Sequence, residues 1–342
     1  MHPRRTVLLT GASTGLGLAI AKRLVREPFH LILTARNDSL DRFTAEGITE
    51  GEHLWIRPLD VTDCQQRIEL VHEIDAQLGG VDVLINNAGV AFRSCVEHVT
   101  EPERLHQMNI NFRSPIELAR LVMPGMRAKR AGKIVNISSV GGMMAMPTMS
   151  VYSASKFALE GASEALYYEL KPWNVSVTLV QPGFMRSDAF AKVPYTQLSA
   201  EASANNRSPY HEHYRNMEDF IAKYMTRATA TPDSVAKKIV KVVRSKSPPL
   251  RVSGTLDAHL FYYLRRLLPR RLYHWVLYRN LPNVRTWGQP AATPVVEPCT
   301  EVPTAGGTLP MGSAAMGSSA IGAGGIDKRD PTVTADRIVG EF

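Results

Sequence analysis

Short runs of apolar residues alternate along the chain with longer stretches whose apolar positions recur at helical spacing. The short runs are rich in Val, Ile and Leu, which is typical of strands that are buried on both faces of a sheet. We predict strands at 7–10, 30–35, 54–61, 81–86, 133–138, 175–180 and 250–253, and helices at 14–26, 63–78, 101–129, 150–171 and 232–244. This alternation predicts parallel strands joined by right-handed crossovers. The predicted fold class is α/β: one doubly wound parallel sheet of about seven strands, with helices on both faces.

Two shorter segments follow this domain, which we place at residues 1–255. Residues 256–287 are rich in aromatic residues and arginine, and Pro269 is expected to divide them into two short helices, because proline interrupts a helix. Over residues 288–342 the composition shifts to Pro, Gly, Ala, Ser and Thr. Such a segment buries too little apolar surface to offset its ordering entropy, so we predict a disordered tail.

The positive charge of the chain is concentrated in one late segment. The formal net charge of the 342 residues is +8, and between residues 244 and 285 nine Lys and Arg stand against a single acidic residue, Asp257. The rest of the chain is therefore nearly neutral. Since no nucleic-acid recognition motif accompanies these arginines, we predict no nucleic-acid partner.

Apolar runs and cysteines exclude several further classes of protein. No run approaches the ~18 apolar residues of a transmembrane helix, and the first run, at 6–10, is too short for a signal peptide. The three cysteines, Cys64, Cys95 and Cys299, are widely spaced and predict neither a disulfide framework nor a metal site. This usage fits a reducing compartment, so we expect a cytoplasmic protein.

The aromatic and arginine-rich residues at 259–280 leave three interpretations open. The first places them on an anionic membrane surface, with Tyr and Trp at the interface and Arg on the headgroups, which would make the protein membrane-associated. The second closes them over a substrate pocket. The third packs them into a subunit interface.

The first predicted strand leads directly into a glycine-rich turn that opens the first helix. Three glycines at Gly11, Gly15 and Gly17 would let the chain reverse, leave room for a pyrophosphate and bring helix and strand close together. The phosphates would then meet free N–H groups at the positive end of the helix. This turn predicts a dinucleotide site, and a glycine turn without a ligand is the alternative.

The end of the second predicted strand distinguishes NAD from NADP. An acidic residue there would bind the ribose 2′-hydroxyl of NAD. This chain instead has Ala35 followed by Arg36, whose planar guanidinium can bind a 2′-phosphate, and Ser13 could add a donor. These residues favour NADP(H), while Asp38 is the residue that could still serve NAD.

A tyrosine and a lysine form the candidate catalytic pair. Tyr152 and Lys156 stand four residues apart in a predicted helix, so both lie on one of its faces. A nearby ammonium lowers the pKa of a phenol, which can then exchange a proton with an alcohol or a carbonyl. Ser139 and residues 86–89 end two buried strands, at the sheet edge where ligands of open α/β sheets bind.

In these motifs the chain resembles the short-chain dehydrogenase/reductase family, which has a Rossmann-like fold. The matching residues, within 5–255, are TGxxxGxG at 10–17, Asp60, NNAG at 86–89, Ser139, YxxxK at 152–156 and Pro182-Gly183. The resemblance implies that Tyr152 is the acid/base, that Lys156 lowers its pKa and binds the nicotinamide ribose, and that Ser139 orients the substrate carbonyl. It implies cofactor binding by Gly11, Ser13, Thr14, Gly15, Leu16, Gly17, Arg36, Asp60, Val61, Asn87, Ala88, Gly89, Tyr152, Lys156, Pro182 and Gly183, and contact of the carboxamide with the backbone of 184–185.

The family's fourth catalytic residue is an asparagine that supports a proton-relay water near the lysine. Asn109 and Asn111 are both candidates here. Asn111 stands thirteen residues before Pro124, which matches the interval in the family, so we choose it. Asn109 is then a helix-packing or backbone-bonding residue.

Residues 151–161 are similar to those of the 17β-hydroxysteroid and retinol dehydrogenase relatives. The resemblance implies hydride transfer between NADP(H) and a small lipophilic ketone, aldehyde or alcohol. Met143, Met144, Met146 and Met149 cluster between Ser139 and Tyr152 and suit a pocket for this substrate, since methionine adapts to irregular apolar ligands; packing beneath the site is the alternative. Met143 and Met185 are predicted to contact the substrate beside Ser139 and Tyr152. A non-catalytic dinucleotide-binding sensor or partner protein, and a reductase of an acyl-thioester-linked ketone, remain as alternatives. The family also implies a homodimer or homotetramer formed through the helices at 101–129 and 150–171.

Overall fold

A parallel sheet forms the centre of the part of the chain that the computed structural model describes, residues 4–186 and 193–288. Its strands are β1 (Arg5–Leu9), β2 (Phe29–Ala35), β3 (Leu54–Pro58), β4 (Val83–Asn86), β5 (Gly132–Ile137), β6 (Val175–Gln181) and β7 (Arg251–Ser253). Within these residues the order is β3-β2-β1-β4-β5-β6-β7, and each neighbouring pair is parallel. All seven predicted strands are confirmed. The order reverses between β1 and β4, so the crevice for a ligand lies at their carboxyl ends.

The helices of the described residues cover both faces of the sheet. They are α1 (Gly15–Leu24), α2 (Asp41–Ala45), α3 (Cys64–Leu78), α4 (Glu101–Met108), α5 (Ser114–Lys129), α6 (Ser150–Leu170), α7 (Gln197–Ala204), α8 (His211–Arg227), α9 (Pro232–Arg244), α10 (Leu256–Leu267) and α11 (Arg270–Arg279). Side chains alternate along β1: Val7 and Leu9 pack with α1 and α9 on one face, and Leu8 packs with α3, α5 and α6 on the other. The predicted doubly wound, Rossmann-like α/β architecture is therefore confirmed.

Two details of the helices differ from the prediction. The single helix expected at 101–129 is interrupted by one wider π-helical turn at Asn109–Arg113, between α4 and α5. Such turns arise where an extra residue is accommodated and often occur at functional sites. Helices α7 and α8 were not predicted, because residues 186–230 mix apolar and polar positions; α8 nevertheless buries Tyr214, Met217 and Ile221.

The segment after the sheet forms two helices that pack beside the sheet's carboxyl edge. Thr255 accepts a hydrogen bond from the backbone of Ala258 and so caps α10. Pro269 separates α10 from α11, as predicted. Among the described residues, every helix is too short or too polar to cross a membrane. The predicted disordered tail lies, from residue 289 onward, outside the described residues.

Candidate active site

The glycine turn between β1 and α1 is shaped by positions that exclude a side chain. Gly11 and Gly15 have φ angles of +62° and +53°, in the left-handed region that favours glycine. A Cβ on Gly17 would collide with the backbone oxygen of Gly11, and a Cβ on Gly11 would lie 2.8 Å from the Cα of Ala88. Asn87 fixes the turn, because its Nδ2 donates to the backbone oxygens of Thr10 and Gly11 at 3.0 and 2.9 Å.

A cleft of about 540 Å³ extends from this turn across the carboxyl edge of the sheet. Its size is within the range of small-ligand and cofactor sites. Every residue predicted to bind the cofactor lines it: Gly11, Ser13, Thr14, Gly15, Leu16, Gly17, Arg36, Asp60, Val61, Asn87, Ala88, Gly89, Tyr152, Lys156, Pro182 and Gly183. The cleft floor is a glycine cradle that a Cβ would fill, at the N-terminus of α1. These residues fit a dinucleotide with its pyrophosphate at the helix N-terminus.

Charged groups surround the end of the cleft beyond β2. The Arg36 side chain is 70% exposed, and its guanidinium lies 3.7 Å from the Asp38 carboxylate, a loose ion pair. Arg42, which the sequence analysis did not single out, lines the same end. Burial raises the pKa of Asp60, but hydrogen bonds from Thr62 and the charge of Arg36 outweigh it, so the pKa lies below its usual value. Asp60 is therefore a fixed anionic acceptor in this part of the cleft.

Tyr152 and Ser139 meet at the opposite end of the cleft. The Ser139 Oγ accepts a hydrogen bond of 3.0 Å from the backbone of Gly141, and a Cβ on Gly141 would lie 2.9 Å from the Tyr152 ring. The small residue thus lets the ring and the hydroxyl approach each other. Burial raises the pKa of Tyr152, and a hydrogen bond with Ser139 offsets only part of this rise. This direction is opposite to the lowered pKa that the sequence analysis expected.

Lys156 lies one helical turn beyond Tyr152 and is buried. Its Nζ donates to the backbone oxygen of Ile137 at 2.9 Å and lies 6.0 Å from the centroid of the Tyr152 ring. Burial lowers the pKa of Lys156 to about 8, against an opposing attraction from Glu160. The backbone at the end of β5 thus holds the Lys156 amine beside the cleft.

Asn111 occupies the π-helical turn and is completely buried. Its Nδ2 donates to the Val90 oxygen at 2.8 Å and to the Ser155 Oγ at 3.0 Å, and its Oδ1 accepts from the Val90 N–H at 2.9 Å. A Cβ on Gly89 would lie 3.3 Å from that Oδ1 and 3.7 Å from the Lys156 Nζ. Asn111 and Lys156 therefore flank one glycine. Asn109 contributes its backbone oxygen to Ser114.

A second, apolar cavity of about 40 Å³ adjoins the cleft. Five residues line both spaces: Ser139, Tyr152, Gly183, Met185 and Val193. The predicted substrate contact Met185 is one of them. Met143 is not among the described residues that line the cavity, because it packs with Val140, Met144 and Ala258 beneath α10. Met146 and Met149, from the same predicted methionine cluster, do line the cavity.

Comparison with known proteins agrees with this geometry. The family model described as short chain dehydrogenase matches residues 5–197. The chain belongs to the short-chain dehydrogenase/reductase family. The 3-ketodihydrosphingosine reductase of Bacteroides thetaiotaomicron is 36% identical over 279 residues, covering 81% of this chain and 97% of the relative. Retinol dehydrogenase 8 of Homo sapiens is 32% identical over 255 residues, covering 72% of this chain and 80% of that protein.

A solved structure shares both the fold and part of the sequence of this short-chain dehydrogenase/reductase. The short-chain dehydrogenase from Streptomyces avermitilis is 30% identical and covers 80% of this chain and 98% of its own, with a TM-score of 0.66. These similarities identify an oxidoreductase family with this fold.

The C-terminal helices of this short-chain dehydrogenase/reductase reach the cofactor cleft through its loop at 182–185. The Asp257 Oδ2 accepts from the Phe184 N–H at 2.8 Å, and the Thr255 Oγ1 accepts from the Gly183 N–H at 2.9 Å. Sequence reasoning missed both contacts. It had assigned the backbone near Phe184 to the carboxamide, whereas the side chain of Asp257 occupies that N–H.

Proposed function

We propose that the chain is an NADP(H)-dependent oxidoreductase that interconverts a small lipophilic ketone or aldehyde with its alcohol. One observation carries the proposal: Ser139 and Tyr152 lie where the cleft with the glycine cradle meets the apolar cavity. A reacting carbonyl at that junction would face the dinucleotide on one side and bury its apolar part on the other. When bound, the nicotinamide supplies or accepts the hydride.

The side chains at the junction would divide the proton chemistry among them. Burial raises the pKa of Tyr152, so its phenol stays protonated at neutral pH, which is the state required of a proton donor to a carbonyl oxygen. The Ser139 hydroxyl would orient that oxygen and stabilise the negative charge that develops on it. Lys156 and Asn111, on either side of Gly89, would hold the ribose and the relay water.

The proposed preference for NADP(H) rests on Arg36 and Arg42. Both line the end of the cleft beyond β2, where an adenosine 2′-phosphate would lie. Two guanidinium groups provide planar, doubly hydrogen-bonding recognition of a phosphate. Asp38 shares this end of the cleft through its loose pair with Arg36.

The proposed lipophilic substrate rests on the cavity lining and on the relatives. Apolar side chains dominate the lining, among them Met146, Met149, Met185, Ile221 and Met225. Similarity to a 3-ketodihydrosphingosine reductase and to a retinol dehydrogenase supports a substrate with a long apolar part.

The proposal is tested by following NADPH consumption with a panel of steroid, retinoid and long-chain ketones and aldehydes. We expect turnover by the native chain and a loss of about 100- to 10,000-fold in Tyr152→Phe. Tyr168→Phe, an exposed tyrosine on the same helix, is the matched control and should leave turnover unchanged. Turnover that survives in Tyr152→Phe would refute the assigned proton donor. A native chain that binds NADPH but turns over no carbonyl would favour a non-catalytic sensor.

We also propose that α10 and α11 contact an anionic membrane surface peripherally. Leu256 and Leu267 are 80% and 74% exposed, and Leu260 and Trp275 are exposed as well. Arginines accompany these apolar side chains, a combination that suits an interface with acidic lipids. The full chain should co-sediment with phosphatidylserine vesicles, and less so with neutral ones, and Leu260→Glu with Leu267→Glu should release it. Equal sedimentation of the double variant would reject this contact.

The homodimer or homotetramer formed through α4, α5 and α6 stays a prediction. Sedimentation velocity of the full chain tests it: a single species at the monomer mass would contradict it.

A further inference from the structure

One charged side chain lines the apolar cavity. Arg93 follows β4, and it is the only charged residue among the described residues of the lining. Its side chain is 6% exposed. The remaining lining is apolar apart from the hydroxyls of Ser139, Tyr152 and Ser153. A guanidinium is costly to bury in such surroundings unless a partner satisfies its charge and its donors.

Among the described residues, two side chains contact this guanidinium. The nearest carboxylate of this part of the chain, Glu218 of α8, lies 3.6 Å from the Arg93 Nη1, longer than a normal hydrogen bond. Glu218 is itself 52% exposed, and its other oxygen accepts from the Tyr195 hydroxyl at 3.1 Å. The Tyr195 hydroxyl also hydrogen-bonds the guanidinium. Within the part of the chain that the structure describes, these two groups engage only some of the N–H donors of Arg93, which leaves the others for a ligand.

Hydrogen bonds fix the backbone of Arg93 on two sides, so the position of its Cα is well defined. Its N–H donates to the Pro194 oxygen at 2.9 Å, and its own oxygen accepts from the Ser199 Oγ at 2.9 Å. The next residue, Ser94, donates its N–H to the Thr148 oxygen at 2.6 Å, close to the start of α6. Arg93 is thus tied to the same segment that leads to Tyr152.

Arg93 does not line the cofactor cleft. Binding of the dinucleotide phosphates therefore gives no account of it, and its ligand belongs to the apolar cavity shared with Ser139 and Tyr152. Within the described lining no acidic side chain opposes its charge. The cavity therefore favours an anion and disfavours a cation.

We propose that Arg93 binds a carboxylate on the substrate, so that the preferred substrate is a lipophilic oxo-acid. This inference rests on the proposed oxidoreductase function and specifies its substrate class. A carboxylate matches the planar guanidinium with two parallel hydrogen bonds. Glu218 then competes with the substrate for Arg93 and keeps the guanidinium oriented in the empty cavity.

The test uses three ketones of the same chain length: one with a carboxylate only a few carbons from the carbonyl, because Arg93 and Tyr152 line one cavity of about 40 Å³, its methyl ester, and the corresponding amine. With the full native chain and NADPH, kcat/KM should be highest for the carboxylate, by about 10- to 100-fold over the ester. Arg93→Met should remove this preference by raising KM for the carboxylate, and kcat/KM for the ester should stay within about twofold of the native value. Arg93→Lys should keep part of it, since the charge remains but the fork is lost.

Two further variants separate binding from a structural role. Glu218→Gln removes the competing carboxylate, so kcat/KM for the oxo-acid should rise while that for the ester stays constant. Arg215→Met, an exposed arginine on α8, is the matched control and should change neither. Equal losses for all probes in Arg93→Met would show that the arginine only supports the fold. Native preference for the ester or the amine would overturn the inference.

A binding measurement keeps the inference separate from the proposed reaction. Calorimetry with a saturated fatty acid and its methyl ester should show Arg93-dependent binding of the acid alone. If ketones are reduced but the acid has no advantage in either assay, the reductase function stands and the carboxylate site fails. If no carbonyl is reduced but the acid binds through Arg93, the site stands and the proposed reaction fails.

Discussion

The amine of Lys156 donates a 2.9 Å hydrogen bond to the backbone oxygen of Ile137, where β5 ends beside the cofactor cleft. Burial of this amine lowers its pKa to about 8. The charged form is therefore present below pH 8 and lost as the pH rises through that value. We predict that kcat/KM for NADPH falls through about pH 8, because this parameter reports the free enzyme and the neutral amine binds the ribose less strongly.

The variants of Lys156 define this pH dependence. Lys156→Arg carries a guanidinium that does not titrate in this range, so the descending limb at pH 8 should vanish even if the overall rate is lower. Lys156→Met should have a low kcat/KM at every pH. Its unfolding temperature should be no lower than that of the native chain, since the substitution removes a buried charge. A native profile that stays flat up to about pH 9.5 would contradict the assignment.

Arg36 and Arg42 make a second prediction, about the choice of dinucleotide. Arg36→Ala should raise KM for NADPH by about 10- to 100-fold and leave KM for NADH within about twofold, because only NADPH carries the 2′-phosphate. Arg42→Ala should have a smaller effect in the same direction. Arg26→Ala, an exposed arginine after α1, is the control. Steady-state kinetics with both dinucleotides measures these values.

Asp38 is the residue that would favour NADH over NADPH. If it held the ribose of NADH, Asp38→Ala would impair NADH selectively, and native KM would be lower for NADH than for NADPH. That result would reverse the assignment of Arg36. Equal losses with both dinucleotides in Arg36→Ala would also refute a role in phosphate recognition.

Most of the fold could be predicted from the sequence, because buried parallel strands leave continuous apolar runs and the helices between them keep their periodicity. The glycine turn, Arg36 and residues 86–89 could be predicted as well, since they follow strand ends that meet at one sheet edge, whereas the other cleft residues were implied by the family resemblance. Contacts between segments that are distant in the sequence could not be predicted. The pairing of Asp257 with Phe184 and the place of Arg93 in the cavity depend on how loops pack, which no local pattern encodes.

The same limit applies to Met143 and to the pKa of Tyr152. Met143 and Met146 are equally apolar and pack in the same cluster, but of the two only Met146 also lines the cavity, which their place in the sequence does not predict. The spacing of Tyr152 and Lys156 places both on one helix face but says nothing about burial. Burial dominates in the folded chain and raises the pKa of the phenol.

The two asparagines near the π-helical turn should behave differently. Asn111→Ala leaves the Val90 N–H without its acceptor and removes one of the two donors to the Val90 oxygen, which keeps the Gln107 amide, so the free energy of unfolding should fall by about 1–3 kcal/mol. Its kcat should fall too, since the proposed relay beside Lys156 is lost. Asn109→Ala is the matched control, because the backbone oxygen that Ser114 contacts is retained. Denaturant unfolding and steady-state kinetics measure both. Equal effects of the two substitutions would remove the ground for choosing Asn111.

The last prediction concerns Asp257, through which the C-terminal helices hold the loop at 182–185, at the end of the cleft where Ser139 and Tyr152 lie. Asp257→Ala leaves the Phe184 N–H without its acceptor, and the loop at 182–185 should lose its fixed position. We expect KM for NADPH to rise several-fold, while Asp257→Asn, whose amide oxygen still accepts, should show a smaller rise. Asp219→Ala, an exposed acid on α8, is the control. An unchanged KM in Asp257→Ala would mean that α10 packs against the loop without influencing the cofactor.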